Sequence, residues 1–351
     1  MDLPAPLAWL VDEAGASPSP GRFLAELGGR MLADGLPLAG GALTLAVSHP
    51  TIARHTWLWR AETGEVVEAL GFAGAPPSQA GRDWLARLGV VHTDIVGPVP
   101  DNLLSWAGIR RFDSSETGLL RQVARFGAAP LAALAARASL AALLEAYLGR
   151  RTAAQVQAGV LRRGTGETIR AALLFADLRG FTSLSEANEP AAMIAALDAW
   201  FDRVAGAVHA FGGEVLKFIG DGVLAIFPVT GAPGEACEAA LRAVIAARAG
   251  MAHLDATRQA QGLWPLPFGV ALHLGEILWG NIGSADRLDF TAIGPAVNLV
   301  SRLEGLCRLL GRSVLISGAV AAEISTPLVS LGDHVLRGIA APCAIFTVPD
   351  S

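Results

Sequence analysis

Two aspartates stand where a folded chain would present them at one end of a sheet. Asp177 follows a hydrophobic run that reads as a strand, and Asp221 lies within Gly220-Asp221-Gly222 between two β-rich runs. An Asp-Gly pair between such runs is a strong hairpin signal, so a tight turn is expected to present Asp221. Mg²⁺ and Mn²⁺ prefer oxygen ligands, and Mg²⁺ takes only one or two carboxylates when water and phosphates fill its other positions. The pair therefore predicts a cation site for a substrate that carries phosphates.

The alternative is that each aspartate is a turn residue that hydrogen-bonds its own backbone. Behind Asp177, residues 178–183 form a loop rich in small residues that leads toward a helix. Free backbone N–H groups in such a loop can hold phosphate oxygens, although this signal is weak when taken alone.

The elements that must position these residues alternate in type after residue 164. A buried strand at 169–176 precedes a helix at 189–211, the strands 214–219 and 223–227, a helix at 235–254 and a strand pair over 268–282. A helix at 295–310 and short strands near Val314 and Ile345 complete the pattern. The order β, α, β, β, α, β predicts an α+β fold of the ferredoxin-like, split βαβ type. Fold alone does not specify chemistry.

Three segments resemble the successive signatures of class III adenylate and guanylate cyclases: FADLRGFTSLSE, VLKFIGDGVLAIF and DFTAIGPAVNLVSRLE. The resemblance extends over 169–348 and includes the closing LGDHVLRGIAAPCAIFTV. It implies that 164–351 is a catalytic domain that converts ATP to 3′,5′-cyclic AMP and pyrophosphate in signal transduction. It also implies two Mg²⁺ or Mn²⁺ ions per active site and a homodimer with shared sites.

The resemblance assigns a role to each matching residue. It implies that Asp177 and Asp221 bind the metal ions with help from the Leu178 carbonyl. It further implies that Gly180, Phe181, Thr182 and Arg337 bind phosphate and that Lys217 and Thr291 read adenine. Asn298 would orient the ribose, and Arg302 would stabilise the transition state. Asn298 and Arg302 are four residues apart on a predicted helix and so share a face. Without the family resemblance, that face would be interpreted as a solvated helix face. Lys217 and Asp221 are only about 13 Å apart along an extended strand. In homodimeric members of the family, one subunit supplies the metal ligands of each site, and its partner supplies the base-reading, ribose and transition-state residues.

Two positions depart from the family pattern. Many adenylate cyclases have Asp where this chain has Thr291, and cyclases with Thr there are similar to those stimulated by bicarbonate, which makes bicarbonate an expected effector. Pro295-Ala296 replaces the more usual Asp-Thr, and Pro is tolerated at the first helical position. A guanylate cyclase and a catalytically silent cyclase-homology domain remain alternatives. A net charge of -5 and the absence of a Lys/Arg run argue against nucleic acid as a partner.

The first half of the chain differs in character from the second. Residues 1–115 hold five of the eight Trp residues and resemble a shortened GAF- or PAS-like sensor domain, and 116–163 are expected to form a connecting helix, broken or kinked at Pro130, and a linker. Three scattered cysteines indicate neither a disulfide framework nor a zinc site. The chain begins without a basic n-region and has no apolar run of about 18 residues, so a cytoplasmic location without a transmembrane segment is predicted.

Overall fold

The computed structural model describes residues 3–47, 52–72, 80–160, 162–339 and 341–349. It divides into two compact units, Met1–Tyr147 and Leu148–Ser351. Most of the predicted connecting segment 116–163 therefore lies within the first unit, and the predicted catalytic domain 164–351 lies within the second.

The first unit contains a five-stranded antiparallel sheet of order β3-β2-β1-β5-β4. Its strands are β1 (Leu38–Ala46), β2 (Ile52–Arg60), β3 (Val66–Phe72), β4 (Val90–Ile95) and β5 (Leu103–Gly108). Its described helices are α1 (Ala5–Asp12), α2 (Pro20–Ala33), α3 (Ala80–Ala86) and α4 (Ser114–Leu148).

Tryptophans form much of the core of this unit. Trp57 and Trp59 alternate with Leu58 along β2 and therefore share one face, where they are 3% exposed and pack with Trp9 and Trp106. These four tryptophan side chains therefore have a packing role in the core. The resemblance to GAF or PAS sensors stays a prediction.

Helix α4 continues through Pro130, where a kink or break was expected. Its residues Leu120, Val123 and Leu134 lie in the core of the first unit. An 18-residue window of α4 has a mean hydropathy of 1.5, and the helix is long and apolar enough to cross a membrane, although 22% of that window is buried. The length and composition of α4 therefore do not settle whether the chain has a transmembrane segment, and its absence stays a prediction.

The second unit has an eight-stranded mixed sheet. Its path is β12-β13-β11-β9-β6-β8-β7, and β10 pairs with β9. The strands are β6 (Gly166–Leu178), β7 (Glu214–Ile219), β8 (Gly222–Pro228), β9 (Phe268–Gly283), β10 (Leu288–Ile293), β11 (Val314–Ser317), β12 (Val329–His334) and β13 (Cys343–Thr347). The helices are α5 (Arg150–Gln157), α6 (Phe181–Ala187), α7 (Pro190–Ala210), α8 (Pro233–Ala260), α9 (Pro295–Gly305) and α10 (Gly318–Ala321). The neighbours β9, β6, β8 and β7 are antiparallel and form the predicted split βαβ core.

Strand β6 is the central element of this core. Leu174 and Ala176 pack with α7 and α8, whereas Ala171 and Leu173 pack on the opposite face with α9. A strand that is covered on both faces reads as a continuous apolar run, which explains the unbroken hydrophobicity before Asp177.

Three local predictions were wrong. The linker expected at 150–168 contains α5, because the Glu214 carboxylate accepts the backbone N–H of Arg151 at 3.1 Å and so satisfies a first-turn donor. The loop expected through Ser183 turns into α6 at Phe181. The strand pair expected over 268–282 is the single strand β9, which pairs with β6 along its length.

A buried histidine on β9 makes the stability of this unit depend on pH. His273 lies beside Ser317 with 2.9 Å between Nδ1 and the hydroxyl oxygen, and burial lowers the pKa of its imidazole to about 4 from 6.5. The unfolded chain therefore binds the proton first, and stability present above pH 6.5 is lost as pH falls toward 4. This contribution reaches up to about 3 kcal/mol. In urea unfolding, His273→Gln should flatten the fall in unfolding free energy across this window; an unchanged slope would contradict the assignment.

Candidate active site

The two predicted metal ligands converge at one end of the sheet. Asp177 is the penultimate residue of β6, the strand next to β8, and a Cβ on Gly222 would lie 3.3 Å from its Oδ1 atom. The β7–β8 hairpin closes with Ile219 opposite Gly222, so its two-residue loop is Gly220-Asp221. Gly220 has φ +64° and comes first, as a type II′ turn requires. The predicted hairpin is present, with its loop one residue earlier than the Asp-Gly signal suggested.

A buried tryptophan anchors this turn. Trp200, on α7, is fully buried, and its indole N–H donates to the Asp221 carbonyl oxygen at 2.9 Å. The bond fixes the backbone that carries the carboxylate. Trp200 is therefore a positioning residue, and the sequence analysis did not identify it.

The carboxylates repel one another. Burial, together with the charges of Asp221 and Glu304 and a hydrogen bond to Asp221, raises the pKa of Asp177 to about 7. Burial also raises the pKa of Glu304, which the Arg179 charge opposes. A divalent cation between Asp177 and Asp221 would relieve this repulsion.

The donor set fits Mg²⁺ or Mn²⁺. Within the described ranges there is no group of three or more His, Cys, Asp or Glu residues arranged to hold a metal ion. Two aspartates without a full protein cage match an ion that keeps positions for water and substrate phosphates. The geometry thus fits the predicted cation at Asp177 and Asp221.

The predicted phosphate-binding loop follows Asp177 directly in the chain. Leu178 is 5% exposed, so its side chain anchors the loop while Gly180, with φ +73°, turns the chain into α6. Phe181 packs on the core and Thr182 is exposed. The loop therefore lies beside Asp177, and the Thr182 side chain is exposed to solvent.

The two residues predicted to read the base lie on a shared surface. Lys217, next to a bulge in β7, forms an ion pair with Asp289 on β10. Phe290 and Ala292 are buried, so Asp289 and Thr291 share the opposite face of β10. The structure thus brings Lys217 to the strand face that carries Thr291.

Asn298 and Arg302 are exposed on α9, and neither side chain makes a hydrogen bond or ion pair with the part of the chain that the structure describes. Glu304, on the same helix, packs against Gly269, the residue paired with Asp177 across β6 and β9. At 3.6 residues per turn Glu304 lies about 200° around the helix from Arg302. Arg302 and Asn298 therefore point away from the carboxylates of their own chain. Pro295 occupies the start of α9 as expected.

Arg337 is not brought to this site within one subunit. It is exposed in the turn after β12, an edge strand four positions from β6 in the sheet. Four strand spacings are about 19 Å.

Sequence reasoning missed three charged residues of the site. Arg179 donates to the Arg312 carbonyl oxygen and opposes the raised pKa of Glu304, and Asp289 pairs with Lys217. The period-two pattern of β10 could have revealed Asp289, because it is two residues from Thr291. Glu304 depends on how α9 is rotated, which the sequence signal did not resolve.

The second unit matches known proteins in sequence. Residues 166–333 match the family model described as the adenylate and guanylate cyclase catalytic domain. The chain is 34% identical to an adenylate cyclase of Anabaena cylindrica over 168 residues, 47% of this chain and 32% of that protein. It is 35% identical to adenylate cyclase 1 of Rhizobium meliloti over 150 residues, 43% of this chain and 23% of that protein. The chain thus spans a third or less of the length of these relatives.

A solved structure of a bacterial light-regulated adenylyl cyclase is similar in fold. Its TM-score is 0.54, with 74% of this chain and 85% of that chain covered. The sequence identity is 21%, so the similarity shows the fold alone.

Proposed function

Residues 166–333 form a domain of the adenylate and guanylate cyclase catalytic domain family, and on this premise we propose that the chain is an adenylate cyclase, a phosphorus-oxygen lyase. The reaction would convert ATP to 3′,5′-cyclic AMP and pyrophosphate for signal transduction. The observation that carries the proposal is the convergence of Asp177 and Asp221, a cation site suited to a nucleoside triphosphate. Two relatives over this region are named adenylate cyclases.

In the proposed reaction the 3′-oxygen of ATP attacks the α-phosphorus in line with departing pyrophosphate and loses its proton. Asp177 and Asp221 would hold two Mg²⁺ or Mn²⁺ ions with help from the Leu178 carbonyl. When bound, these ions supply a lower pKa for the 3′-hydroxyl and positive charge for the phosphates.

Other residues bind and orient the nucleotide. Arg302 neutralises charge that builds on the α-phosphate oxygens, and Asn298 orients the ribose. Lys217 donates to a ring nitrogen of adenine, and the Thr291 hydroxyl accepts from the exocyclic amine. The loop Gly180, Phe181 and Thr182 binds phosphate oxygens through backbone N–H groups, and Arg337 stays a further predicted phosphate ligand.

The orientation of α9 supports a homodimer with composite sites. Arg302 and Asn298 face away from their own carboxylates, so a second copy would supply them to the partner's Asp177 and Asp221 by symmetry. Phe218 and Ile219, beside the Asp221 turn, are 49% and 50% exposed. Adjacent exposed apolar side chains of this size favour an interaction surface.

Product formation by the purified full chain tests the proposal. With ATP or GTP and with Mn²⁺ or Mg²⁺, cyclic AMP is expected from ATP, and less cyclic GMP from GTP because Lys217 and Thr291 are arranged for adenine. Predominant cyclic GMP would support the guanylate cyclase alternative. No product from either nucleotide would contradict enzymatic activity under these conditions and favour the silent domain.

Regulation is a separate proposal. Thr291 motivates a bicarbonate response, and the first unit is proposed to be a sensor for the catalytic domain. Bicarbonate should raise turnover at fixed pH and ionic strength, and an unchanged rate would exclude it as an effector.

A further inference from the structure

The ion pair between Lys217 and Asp289 lies on the surface assigned to the purine. The side chains are 36% and 46% exposed, so both remain accessible to a ligand. Phe290 fixes the strand between them and Thr291 by packing edge-on against buried Trp279, with 4.5 Å between the ring centroids. Two residues along a strand span about 6.6 Å, so Asp289 and Thr291 lie within the width of one purine.

Resting on the proposed function, we infer that Asp289 is a positioning and specificity-determining residue for the purine. A lysine side chain is long and loses rotamer entropy when it is fixed. Asp289 holds the Lys217 ammonium beside Thr291 before the nucleotide arrives. One ammonium proton is then directed to Asp289, and the other two remain for the base.

The same carboxylate discriminates between purines. Adenine presents an acceptor at N1 and a donor amine at C6, whereas guanine presents a donor at N1 and an acceptor oxygen at C6. A lysine alone could donate to that guanine oxygen. Asp289 instead holds the ammonium at the N1 position, where adenine presents an acceptor and guanine presents an N1–H, and two facing donors repel, so the pair favours adenine by penalising guanine.

The Lys217–Asp289 ion pair contributes little to the stability of the folded protein. Ion pairs that are this exposed stabilise a protein very little, because water screens the charges. Asp289→Asn should therefore fold normally, and its effect should appear in substrate recognition.

Steady-state kinetics of Asp289→Asn with ATP and GTP test this role. We expect KM for ATP to rise about tenfold, kcat to change less than about twofold, and the ATP:GTP preference in kcat/KM to fall about tenfold. Asp289→Glu should restore much of the preference. Asp286→Asn is the matched control, because Asp286 is exposed in the same β9–β10 turn and its carboxylate accepts locally, from the Ser284 hydroxyl and its own backbone N–H.

A double variant separates action through Lys217 from an independent effect. Lys217→Ala with Asp289→Asn should discriminate no worse than Lys217→Ala alone, because the carboxylate acts through the ammonium. Additive losses would overturn the positioning role. An unchanged KM and preference in Asp289→Asn, or an equal loss of kcat with both nucleotides, would also overturn it.

Binding measurements distinguish failure of this inference from failure of the proposed function. If the wild-type chain forms no cyclic nucleotide, the enzymatic proposal fails, and the affinities for methylanthraniloyl-ATP and methylanthraniloyl-GTP still test Asp289. The wild type should then prefer the adenine nucleotide, and Asp289→Asn should lose that preference. Equal preferences in the two proteins would overturn the inference.

Discussion

Asp221→Asn should lower cyclic AMP formation by at least about 100-fold, the loss that follows removal of one group that stabilises transition-state charge. The substitution keeps the size of the side chain and the backbone carbonyl that accepts from Trp200. It removes the negative charge that a divalent cation requires. The loss should appear at saturating ATP, with Mn²⁺ as well as Mg²⁺.

The folded structure should survive this change. Asp221 raises the pKa of Asp177 because two carboxylates are crowded at one place, so neutralising one of them relieves repulsion in the metal-free protein. Thermal unfolding in the presence of a chelator should therefore show a variant no less stable than the wild type. Added Mn²⁺ should stabilise the wild type more than the variant.

Asp202→Asn is the matched control for this experiment, because Asp202 is exposed on α7. It should retain wild-type turnover. An Asp221→Asn protein with more than about a tenth of wild-type turnover would show that the cation does not depend on this carboxylate, and the metal site would have to be reassigned.

The sequence predicted the parts of the site that depend on local signals. A hydrophobic strand that leads into Asp177 and a tight turn that carries Asp221 are each encoded within a few residues, and antiparallel pairing of β6, β8 and β7 then brings them together. The alternation along β10 is equally local and places Thr291 on the outward face, although the sequence analysis did not predict this strand.

The parts that sequence did not predict depend on contacts between distant segments. Helix α5 was expected to be a linker because its own residues form a weak pattern, and Glu214 from β7 supplies the acceptor for Arg151. Glu304 joins the carboxylates only because α9 packs with that residue inward. Such contacts are decided by packing after the elements form, so neither helix could be assigned its role from spacing alone.

The orientation of α9 leads to the second large expected effect, which is complementation between two inactive proteins. Arg302→Ala should reduce kcat by about 100-fold or more, because it removes charge stabilisation at the α-phosphate. The side chain is exposed and makes no hydrogen bond or ion pair with the rest of the described chain, so stability should change little. Arg308→Ala is the matched control, because Arg308 is exposed just beyond α9 and has no assigned role.

Mixing Arg302→Ala with Asp221→Asn should restore activity if each site takes its carboxylates from one subunit and its arginine from the other. In a mixed dimer one site then carries both lesions and the other carries neither. Random assortment makes half of the dimers mixed, so the mixture should reach about a quarter of wild-type activity.

Purified mixed dimers that carry two different tags sharpen this measurement. They should show about half of the wild-type turnover per dimer, since one of two symmetric sites is intact. If all of these residues acted within a single chain, every site would carry one lesion, and neither the mixture nor the purified mixed dimer would exceed the background of the separate variants. Restoration would therefore support both the proposed dimer and the proposed division of the site between its subunits, in which the Arg302 that points away from its own Asp177 serves the partner's carboxylates.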